Sequence, residues 1–386
     1  MRRNYGTLLT VSILFGLGYG LYEFALPYFL DLHGISVPRM GVIYAAAAML
    51  LFVVRVYAGH LSDRLGRKAL YAISVLSSGA VSAATPASVA LWFQTALKSV
   101  RDAGATVFDS MYQLALHDES RDRYVDRVGK ARGLQSLAEA MATFGAGLLL
   151  AREAYVGSFR LSAAFLLAGF LVFLFGYRPN ASPVQQQADQ SLRGILAFDL
   201  PRPLTVLTAS AFVFTIGLSA SHCFVMQLFW ERQFGASKPV IGTILMLHRF
   251  TIALPLLLVG WAVKSHLKQV YIAFVMLEGL ALALSGLLPR FLPATLIWLT
   301  HDLFGAGVWL PIQSALIQRH SREETRGRDV SKVFAIASLG WLFGPLLAGA
   351  VFERWYGGPF FLGGAIMILS AFVLFALKPE DTCGHE

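Results

Sequence analysis

Four ionisable residues, Lys98, Arg101, Asp102 and Asp109, lie inside one apolar stretch of the sequence at about residues 88–116. An ionisable side chain near the centre of a bilayer costs at least about 2.5–3.5 kcal/mol, so such residues normally face a partner or a cavity. At about 100° per residue, the four side chains fall on one broad face of a helix. We predict that this face points into the protein, where its carboxyl groups can bind and release protons.

A carboxyl group in the outer part of the first apolar stretch is the first candidate for proton exchange. Glu23 lies one helical turn from Tyr19 and directly after Tyr22. Burial disfavours the charged form of a carboxyl group, so a buried glutamate can exchange its proton near neutral pH when a gate opens it to water. Glu23 is therefore the first choice for a coupling carboxylate, and Asp109 is the second.

Each of these charges also has a structural interpretation. Lys98 and Asp102 are four residues apart and can neutralise each other, and Arg101 can pair with a carboxylate elsewhere. Glu23 can lie at the outer rim in contact with water, and Asp109, which lies closer to the cytoplasmic end of its helix, can lock the inner gate. The sequence leaves these alternatives open.

Polar side chains also interrupt the apolar stretches later in the chain. His301 and Asp302 occupy the positions equivalent to Arg101 and Asp102, so both parts of the chain present a charged pair at mid-depth. Arg249 can meet an anionic group of a substrate or a carboxylate of the protein. The candidate substrate-binding residues are Tyr19, Tyr22, Arg101, His222, Arg249, His301, Asp302, Trp309, Gln313 and Trp341.

The elements that must hold these residues are membrane helices, because the chain is too apolar for a soluble globule. Of its 386 residues, 56% are hydrophobic and 14% are charged, whereas soluble domains carry about 25% charged residues. Cys223 and Cys383 give neither a disulfide framework nor a metal-ligand spacing. The sequence contains no nucleotide-binding loop, zinc motif or hydrolase elbow, so neither an enzyme nor a cofactor or metal is expected.

Twelve apolar stretches of about 20 residues are long enough to cross a bilayer. We place them at about residues 7–30, 40–61, 69–85, 88–116, 131–151, 160–177, 204–229, 240–262, 269–288, 292–317, 331–351 and 359–377. The segment after the sixth stretch is rich in Pro, Gln and Asp, which predicts a cytoplasmic linker. The predicted domains are an N-terminal six-helix bundle (1–178), the linker (179–203) and a C-terminal six-helix bundle with a short tail (204–386).

The net charge of +9 is explained by membrane topology rather than by nucleic-acid binding. Most of the 32 Lys and Arg residues fall in segments on one predicted side of the membrane, and positive residues are enriched in cytoplasmic loops. Both termini are therefore predicted to be cytoplasmic, and no nucleic-acid partner is expected.

A similar spacing of glycine and proline residues recurs about 200 residues later in the chain, which indicates an internal repeat. The segment GISVPRMG at residues 34–41 returns as GASKPVIG at residues 235–242, and Asp102 returns as Asp302. Two homologous halves related by an axis along the membrane normal are predicted.

The segment between the second and third stretches, residues 59–68, has the sequence GHLSDRLGRK. Its two glycines permit a sharp reversal, and its aspartate can accept hydrogen bonds from amides at a helix end. The spacing G-x-L-x-D-R-x-G-R-K resembles the signature loop of the major facilitator superfamily, between the second and third transmembrane helices. The residues assigned to this gating motif are Gly59, Asp63, Arg64, Gly66, Arg67 and Lys68.

The resemblance implies an all-α polytopic membrane protein with twelve transmembrane helices in two pseudo-symmetric six-helix bundles, acting as a secondary transporter. The segment Arg101-Asp-Ala-Gly104 resembles the fourth-helix arginine motif of proton-coupled members, where the arginine is linked to proton transfer. The residues assigned to proton coupling are Glu23, Arg101, Asp102 and Asp109. A glycine and proline pattern at residues 340–349 resembles the antiporter motif of the family, although that motif belongs to the fifth helix. Small residues at this spacing also serve helix packing, so the direction of transport stays open.

These patterns predict alternating access with proton-coupled export of a small organic compound, as in drug–proton antiporters. One alternative is proton-coupled uptake of a small organic anion, with Arg101 and Arg249 as counter-charges. Another is a membrane receptor or assembly partner that does not transport. The expected partners are the small-molecule substrate, protons and the lipid bilayer, and a monomer in a bacterial inner membrane is expected.

Overall fold

The computed structural model describes residues 2–119, 124–178, 199–262 and 266–378 of the chain. Within these residues every regular element is helical, which confirms the all-α fold expected from the sequence. Nine segments of this described chain, each one helix or two consecutive helices, are long and apolar enough to cross a membrane.

The described residues of the first half form six α-helices, in the order of the six predicted apolar stretches. They are α1 (Arg2–Leu32), α2 (Val37–Leu65), α3 (Arg67–Ala84), α4 (Leu91–Glu119), α5 (Tyr124–Leu150) and α6 (Tyr155–Gly176). Only Gly66 separates α2 from α3, and its φ of 78° lies in the left-handed region that glycine adopts without strain. Gly66 therefore makes the reversal that the sequence predicts at this point.

The second half forms nine α-helices within residues 199–262 and 266–378, because three of its six apolar stretches are each divided in two. The helices are α7 (Arg202–His222), α8 (Val225–Phe234), α9 (Lys238–Ala262), α10 (Leu267–Leu287), α11 (Phe291–Phe304), α12 (Ala306–His320), α13 (Arg326–Ser338), α14 (Gly340–Phe352) and α15 (Gly358–Val373). The divisions fall between α7 and α8, between α11 and α12, and between α13 and α14. The sequence indicated one continuous stretch at each of these places and did not predict the divisions.

At two of these divisions the backbone leaves the helical region. Cys223, after α7, has φ −85° and ψ −156°, and Gly305, after α11, has φ −84° and ψ −131°. A Cβ atom on Gly305 would lie 3.0 Å from the carboxyl group of Glu278, so the missing side chain allows α10 to approach this division. Both divisions lie beside polar residues, because His222 ends α7 and Asp302 lies near the end of α11.

The contacts within the chain group the helices into two compact units. The first unit comprises Met1–Ser36, Ala46–Ala188 and Ala236–Arg249, and the second unit comprises Val37–Ala45, Asp189–Gly235 and Phe250–Glu386. Each unit therefore contains most of one half of the chain together with the first turns of one helix, α2 or α9, from the other half.

Aromatic side chains from α1, α3, α4 and α6 build the core of the first unit. The rings of Phe15 and Phe108 are stacked with their centroids 3.8 Å apart. The ring centroid of Tyr71 lies 5.0 Å from that of Phe108 and 4.1 Å from that of Phe173, and all four rings are buried. Aromatic pairs contribute about 0.5–1.5 kcal/mol each beyond the burial of their area. This core holds α1 against α4, the helix that carries the charged face.

A lysine in the first turn of α3 and a lysine in the first turn of α10 bind backbone oxygens just after α6 and α15, respectively. Lys68 Nζ donates to the backbone oxygen of Tyr177 at 2.9 Å, and Lys268 Nζ donates to the backbone oxygen of Leu377. Both bonds span 109 residues of sequence. A cation beside terminal carbonyl groups is favourable because it balances the negative end of the helix dipole. The equivalence of the two bonds supports the internal repeat predicted from the sequence.

Glycines allow α15 to pack closely on two neighbouring helices of the second unit. A Cβ atom on Gly363 would lie 2.6 Å from the backbone oxygen of Gly217 in α7. A Cβ atom on Gly364 would lie 2.6 Å from the backbone nitrogen of Ala283 in α10. Lipid tails are as apolar as the helix surfaces, so the hydrophobic effect does not drive helices together inside a membrane. Close packing at small residues is a main source of their association instead.

Ion pairs tie the segment before α7 to α13 in the second unit. Asp199 accepts a hydrogen bond from Arg328 at 3.0 Å and another from Lys332. The hydrogen bond from Lys332, with the charges of Lys332 and Arg328, holds the pKa of Asp199 below its usual value. Asp329 on α13 accepts a bond of 2.7 Å from Arg322. Arg322 before α13, and Arg328 and Lys332 on α13, thus have carboxylate partners.

We expect Gly364→Ala to lower the stability of the protein, because the added methyl group has no space between α15 and α10. Overpacking of this kind costs about 1–3 kcal/mol. Thermal unfolding in detergent measures the effect. Gly145→Ala is the matched control, because a Cβ atom on Gly145 meets nothing within 4 Å. Equal melting temperatures for the two variants would contradict the close packing of α15.

Candidate functional site

The charged face of α4 meets α1 in the first unit, where four residues form one ionic network. Lys98 Nζ lies 3.0 Å from Glu23 Oε1 and 2.7 Å from Asp102 Oδ1. Arg101 Nη1 lies 3.4 Å from the same oxygen of Glu23. The structure thus contains the Lys98–Asp102 pair that the sequence suggested as one alternative, and it adds Glu23 from α1. Two cations and two carboxylates neutralise one another in this network.

The carboxylates are the accessible members of this network. The side chains of Lys98 and Arg101 are 4% and 0% exposed, whereas those of Glu23 and Asp102 are 23% and 18% exposed. A proton arriving from water therefore meets a carboxylate before it meets a cation. Protonation of Glu23, which lies on α1, would leave excess positive charge on α4 and weaken the attraction between α1 and α4.

Two tyrosines of α1 hold the guanidinium group of Arg101. The Cζ atom of Arg101 lies 3.9 Å from the ring centroid of Tyr22 and 4.9 Å from that of Tyr19. A cation over an aromatic face gains about 0.5–2 kcal/mol. Two nitrogens of Arg101, Nε and Nη2, have no hydrogen-bond partner among the described residues. Buried donors are normally satisfied, so these nitrogens are suited to an acceptor from water or a substrate.

A second polar chain in the first unit involves Arg249, which the sequence assigned to substrate binding. Arg249 Nη1 lies 3.5 Å from Glu139 Oε2. Gln135 donates to Glu139 at 3.0 Å and accepts a hydrogen bond from Ser12 at 3.1 Å. The structure therefore supplies Arg249 with a carboxylate partner within the protein. Glu139 was not assigned to the site, although an ionisable residue in an apolar stretch was a signal for it.

Asp109 lies apart from the network formed by Glu23. Its Oδ1 accepts a hydrogen bond of 2.8 Å from Arg132 Nη1 on α5, and the two side chains are 45% and 34% exposed. Ion pairs with this much exposure contribute about 0–1 kcal/mol. The pair is consistent with a structural role for Asp109 as a contact between α4 and α5.

A histidine pair forms the polar centre of the second unit. His222 Nε2 on α7 lies 2.9 Å from His301 Nε2 on α11. Asp302 Oδ1 lies 3.3 Å from His301 Nε2, and the side chains of His301 and Asp302 are 0% and 3% exposed. The structure thus brings together three residues that the sequence assigned to substrate binding.

Glu278 is a buried carboxyl group beside this centre that the sequence did not assign to the site. It is 1% exposed, and its Oε2 atom has no hydrogen-bond partner among the described residues.

The other residues that the sequence assigned to substrate binding lie elsewhere in the second half. Gln313 donates to the hydroxyl of Tyr271 at 2.8 Å. Trp309 is buried with its ring 4.5 Å from that of Phe214. Trp341 lies in α14 and is half-buried.

Most side chains of the predicted gating motif lie outside the described residues. These are the side chains of Asp63, Arg64 and Arg67, and the surroundings of Gly59 are likewise not described. Gly66 makes the turn between α2 and α3, and Lys68 caps α6. The gating assignment stays a prediction.

The model of the Major Facilitator Superfamily matches residues 8–230 and 207–382 of the chain. A tetracycline resistance protein, class C, of Escherichia coli is 24% identical over 94% of this chain and 94% of its own length. Multidrug resistance protein 2 of Bacillus subtilis is 26% identical over 92% of this chain and 90% of its own length.

Solved structures of transporters share the fold. A mutant of the nucleoside transporter NupG superposes with a TM-score of 0.83 at 15% identity, covering 96% of this chain and 99% of its own. The human organic anion transporter MFSD10 superposes with a TM-score of 0.70 at 18% identity, covering 97% of this chain and 99% of its own. Identities this low support the fold and leave the substrate open.

We expect Lys98→Met to destabilise the protein by about 3–5 kcal/mol, because it leaves two carboxylates facing one arginine. Combining it with Asp102→Asn removes one charge of each sign. The double variant should be more stable than the sum of the single effects by about 0.5–3 kcal/mol. Unfolding in detergent measures this cycle. Arg160→Met, at an exposed position on α6, is the control. Additive effects would contradict the network.

Proposed function

The chain belongs to the Major Facilitator Superfamily, and from this membership we propose that it exports a small organic compound in exchange for protons. It is a multi-pass integral membrane transporter and not an enzyme. The proposal extends this statement to a direction, a class of substrate and a coupling ion.

The relatives with resistance in their names support export. Both match more than nine-tenths of this chain, and resistance to an antibiotic is produced by a transporter when it removes the compound from the cell. We therefore take tetracycline as the first compound to test. Because both relatives are only about a quarter identical to this chain, other small organic compounds are also candidate substrates under this proposal.

The contact of Lys98 with two carboxylates is the observation that carries proton coupling. In the neutral network, Lys98 divides its charge between Glu23 on α1 and Asp102 on α4. A proton bound by Glu23 frees α1 from Lys98, which keeps its bond to Asp102. Loading and release of this proton would thus change the attraction between two helices, as a coupled conformational cycle requires.

Uptake of a small organic anion is the second candidate, and Arg101 favours it. Its Nε and Nη2 atoms have no hydrogen-bond partner among the described residues, and an arginine edge can bind a carboxylate through two parallel hydrogen bonds. Arg249 contributes less to this alternative, because Glu139 already balances its charge. A receptor that does not transport is disfavoured by the cost of keeping so many ionisable residues in apolar helices.

The remaining assignments complete the proposal. Both termini and the linker at residues 179–203 lie in the cytoplasm, the two six-helix bundles flank this linker, and the protein works as a monomer in a bacterial inner membrane. The excess of Lys and Arg on one predicted side supports this orientation.

Proteoliposomes with an acidic lumen should accumulate tetracycline, because protons leaving the lumen drive the compound inward. A gradient of about two pH units supports a concentration ratio of up to about 100-fold for a one-to-one exchange. Accumulation driven only by an alkaline lumen would instead indicate proton symport. A nucleoside and the organic anion fluorescein are tested in the same way.

Glu23→Gln should abolish accumulation driven by the pH gradient and retain counterflow of labelled against unlabelled compound, because the neutral amide cannot carry a proton. Retained counterflow also shows that the variant is folded. Glu153→Gln is the matched control, because Glu153 is exposed in the turn between α5 and α6. Unchanged accumulation in Glu23→Gln would remove Glu23 from the coupling residues.

A further inference from the structure

The guanidinium group of Arg249 keeps most of its hydrogen-bonding capacity open to a ligand. Arg249 lies in α9, and its side chain is 41% exposed. In the described part of the chain its ionic partner is Glu139, and the distance between Arg249 Nη1 and Glu139 Oε2 is 3.5 Å. An arginine carries five N–H donors, and no described residue accepts a hydrogen bond from those of Arg249.

Glu139 is held by the protein through only one of its two oxygens. Gln135 donates to Glu139 Oε1 at 3.0 Å, and Ser12 donates to Gln135 at 3.1 Å. The second oxygen, Oε2, faces Arg249 at 3.5 Å, whereas hydrogen-bonded ion pairs have distances of about 2.7–2.9 Å. The pair of Glu139 and Arg249 is therefore loose, and its carboxylate is fixed in place from the opposite side.

Glycines bring α5 and α9 together near this pair. A Cβ atom on Gly242 in α9 would lie 3.3 Å from the Cα atom of Gly147 in α5, so the two backbones are in contact there. Glu139 lies eight residues before Gly147, and Arg249 lies seven residues after Gly242. These spacings correspond to about two helical turns, so both charged residues lie on the helix faces that carry the glycines. All four residues belong to the first unit.

A ligand that binds at this pair must leave neither charge without a partner, because an unpaired charge in an apolar helix is costly. An anion bound to Arg249 would displace Glu139 and leave its carboxylate without a cation. A cation bound to Glu139 would leave the guanidinium group without an anion. A ligand that carries both charges replaces both partners at once, and the site stays neutral.

We propose that Glu139 and Arg249 form a binding site for a zwitterionic compound, whose acidic group binds Arg249 and whose protonated amine binds Glu139. The ammonium nitrogen and a carboxylate oxygen of an α-amino acid lie about 3 Å apart, close to the 3.5 Å between the two side chains. Two ionic hydrogen bonds therefore fit side by side. The statement that such a compound is exported rests on the proposed function, whereas its binding does not.

Isothermal titration calorimetry of the full chain in lipid nanodiscs at pH 7 tests the site without a proton gradient. One series of probes is phenylalanine, phenethylamine, which lacks the carboxylate, and hydrocinnamate, which lacks the amine. The other is tetracycline, which has a dimethylammonium group beside an acidic enol, and dedimethylaminotetracycline. In at least one series we expect the zwitterion to bind about ten- to a hundredfold more tightly than its analogues, because each analogue loses one charged hydrogen bond. No preference in either series would overturn the proposal.

Variants of the two charges separate a binding role from a structural one. Glu139→Gln leaves Arg249 without a counter-charge, so this variant should prefer the anionic analogue. Arg249→Gln should prefer the cationic analogue for the converse reason. Glu153→Gln and Arg160→Gln alter exposed charges and should keep the preference for the zwitterion.

An ion pair that only joined α5 to α9 would lower the melting temperature in both variants without changing the preferred charge of the ligand. An unchanged preference in folded Glu139→Gln and Arg249→Gln would therefore overturn the assignment to this pair. The unmodified protein and its two series of probes decide the question even if a variant does not fold.

Transport distinguishes a failure of this site from a failure of the proposed function. If the zwitterion binds preferentially and no compound accumulates along a pH gradient, the exchange of protons for substrate is wrong and the binding site stands. If tetracycline accumulates and neither zwitterion is preferred in binding, the proposed function stands and the site is wrong.

Discussion

The cost of carrying charge into a bilayer is the constraint on which this structure depends. A single ionisable side chain at mid-membrane costs several kcal/mol, so charges there must be balanced by partners within reach. In the first unit, Lys98 and Arg101 are balanced by Glu23 and Asp102. One proton disturbs such a balance, and this sensitivity is the physical basis of the coupling that we propose.

The two halves of the chain share a scaffold and differ in their chemistry. The bonds from Lys68 and Lys268 to the ends of α6 and of the last helix are equivalent, and both span 109 residues. The polar centre of the first unit uses lysine, arginine and carboxylates, whereas that of the second uses histidine beside Asp302. Duplication thus explains the equivalent bonds, and later divergence explains why the two halves have different polar side chains at their centres.

Interrupted helices distinguish the second half from the first. The interruptions after α7 and α11 lie beside the histidine pair, and Gly305 allows the carboxyl group of Glu278 to approach. A helix that ends inside the membrane leaves backbone groups that are tolerated only where the protein or water satisfies them. The ends of α7 and α11 therefore place irregular backbone next to titratable side chains.

The sequence by itself determined the membrane class, the order of the helices, the internal repeat and which polar residues enter the apolar stretches. These features follow from composition and periodicity, which are local properties of the chain. The pairing of Lys98 with Glu23, the pairing of Arg249 with Glu139 and the division of α11 from α12 were decided only by the tertiary structure. Partners of this kind come from helices far apart in sequence, so their choice depends on which helix faces pack together, and no local pattern encodes that.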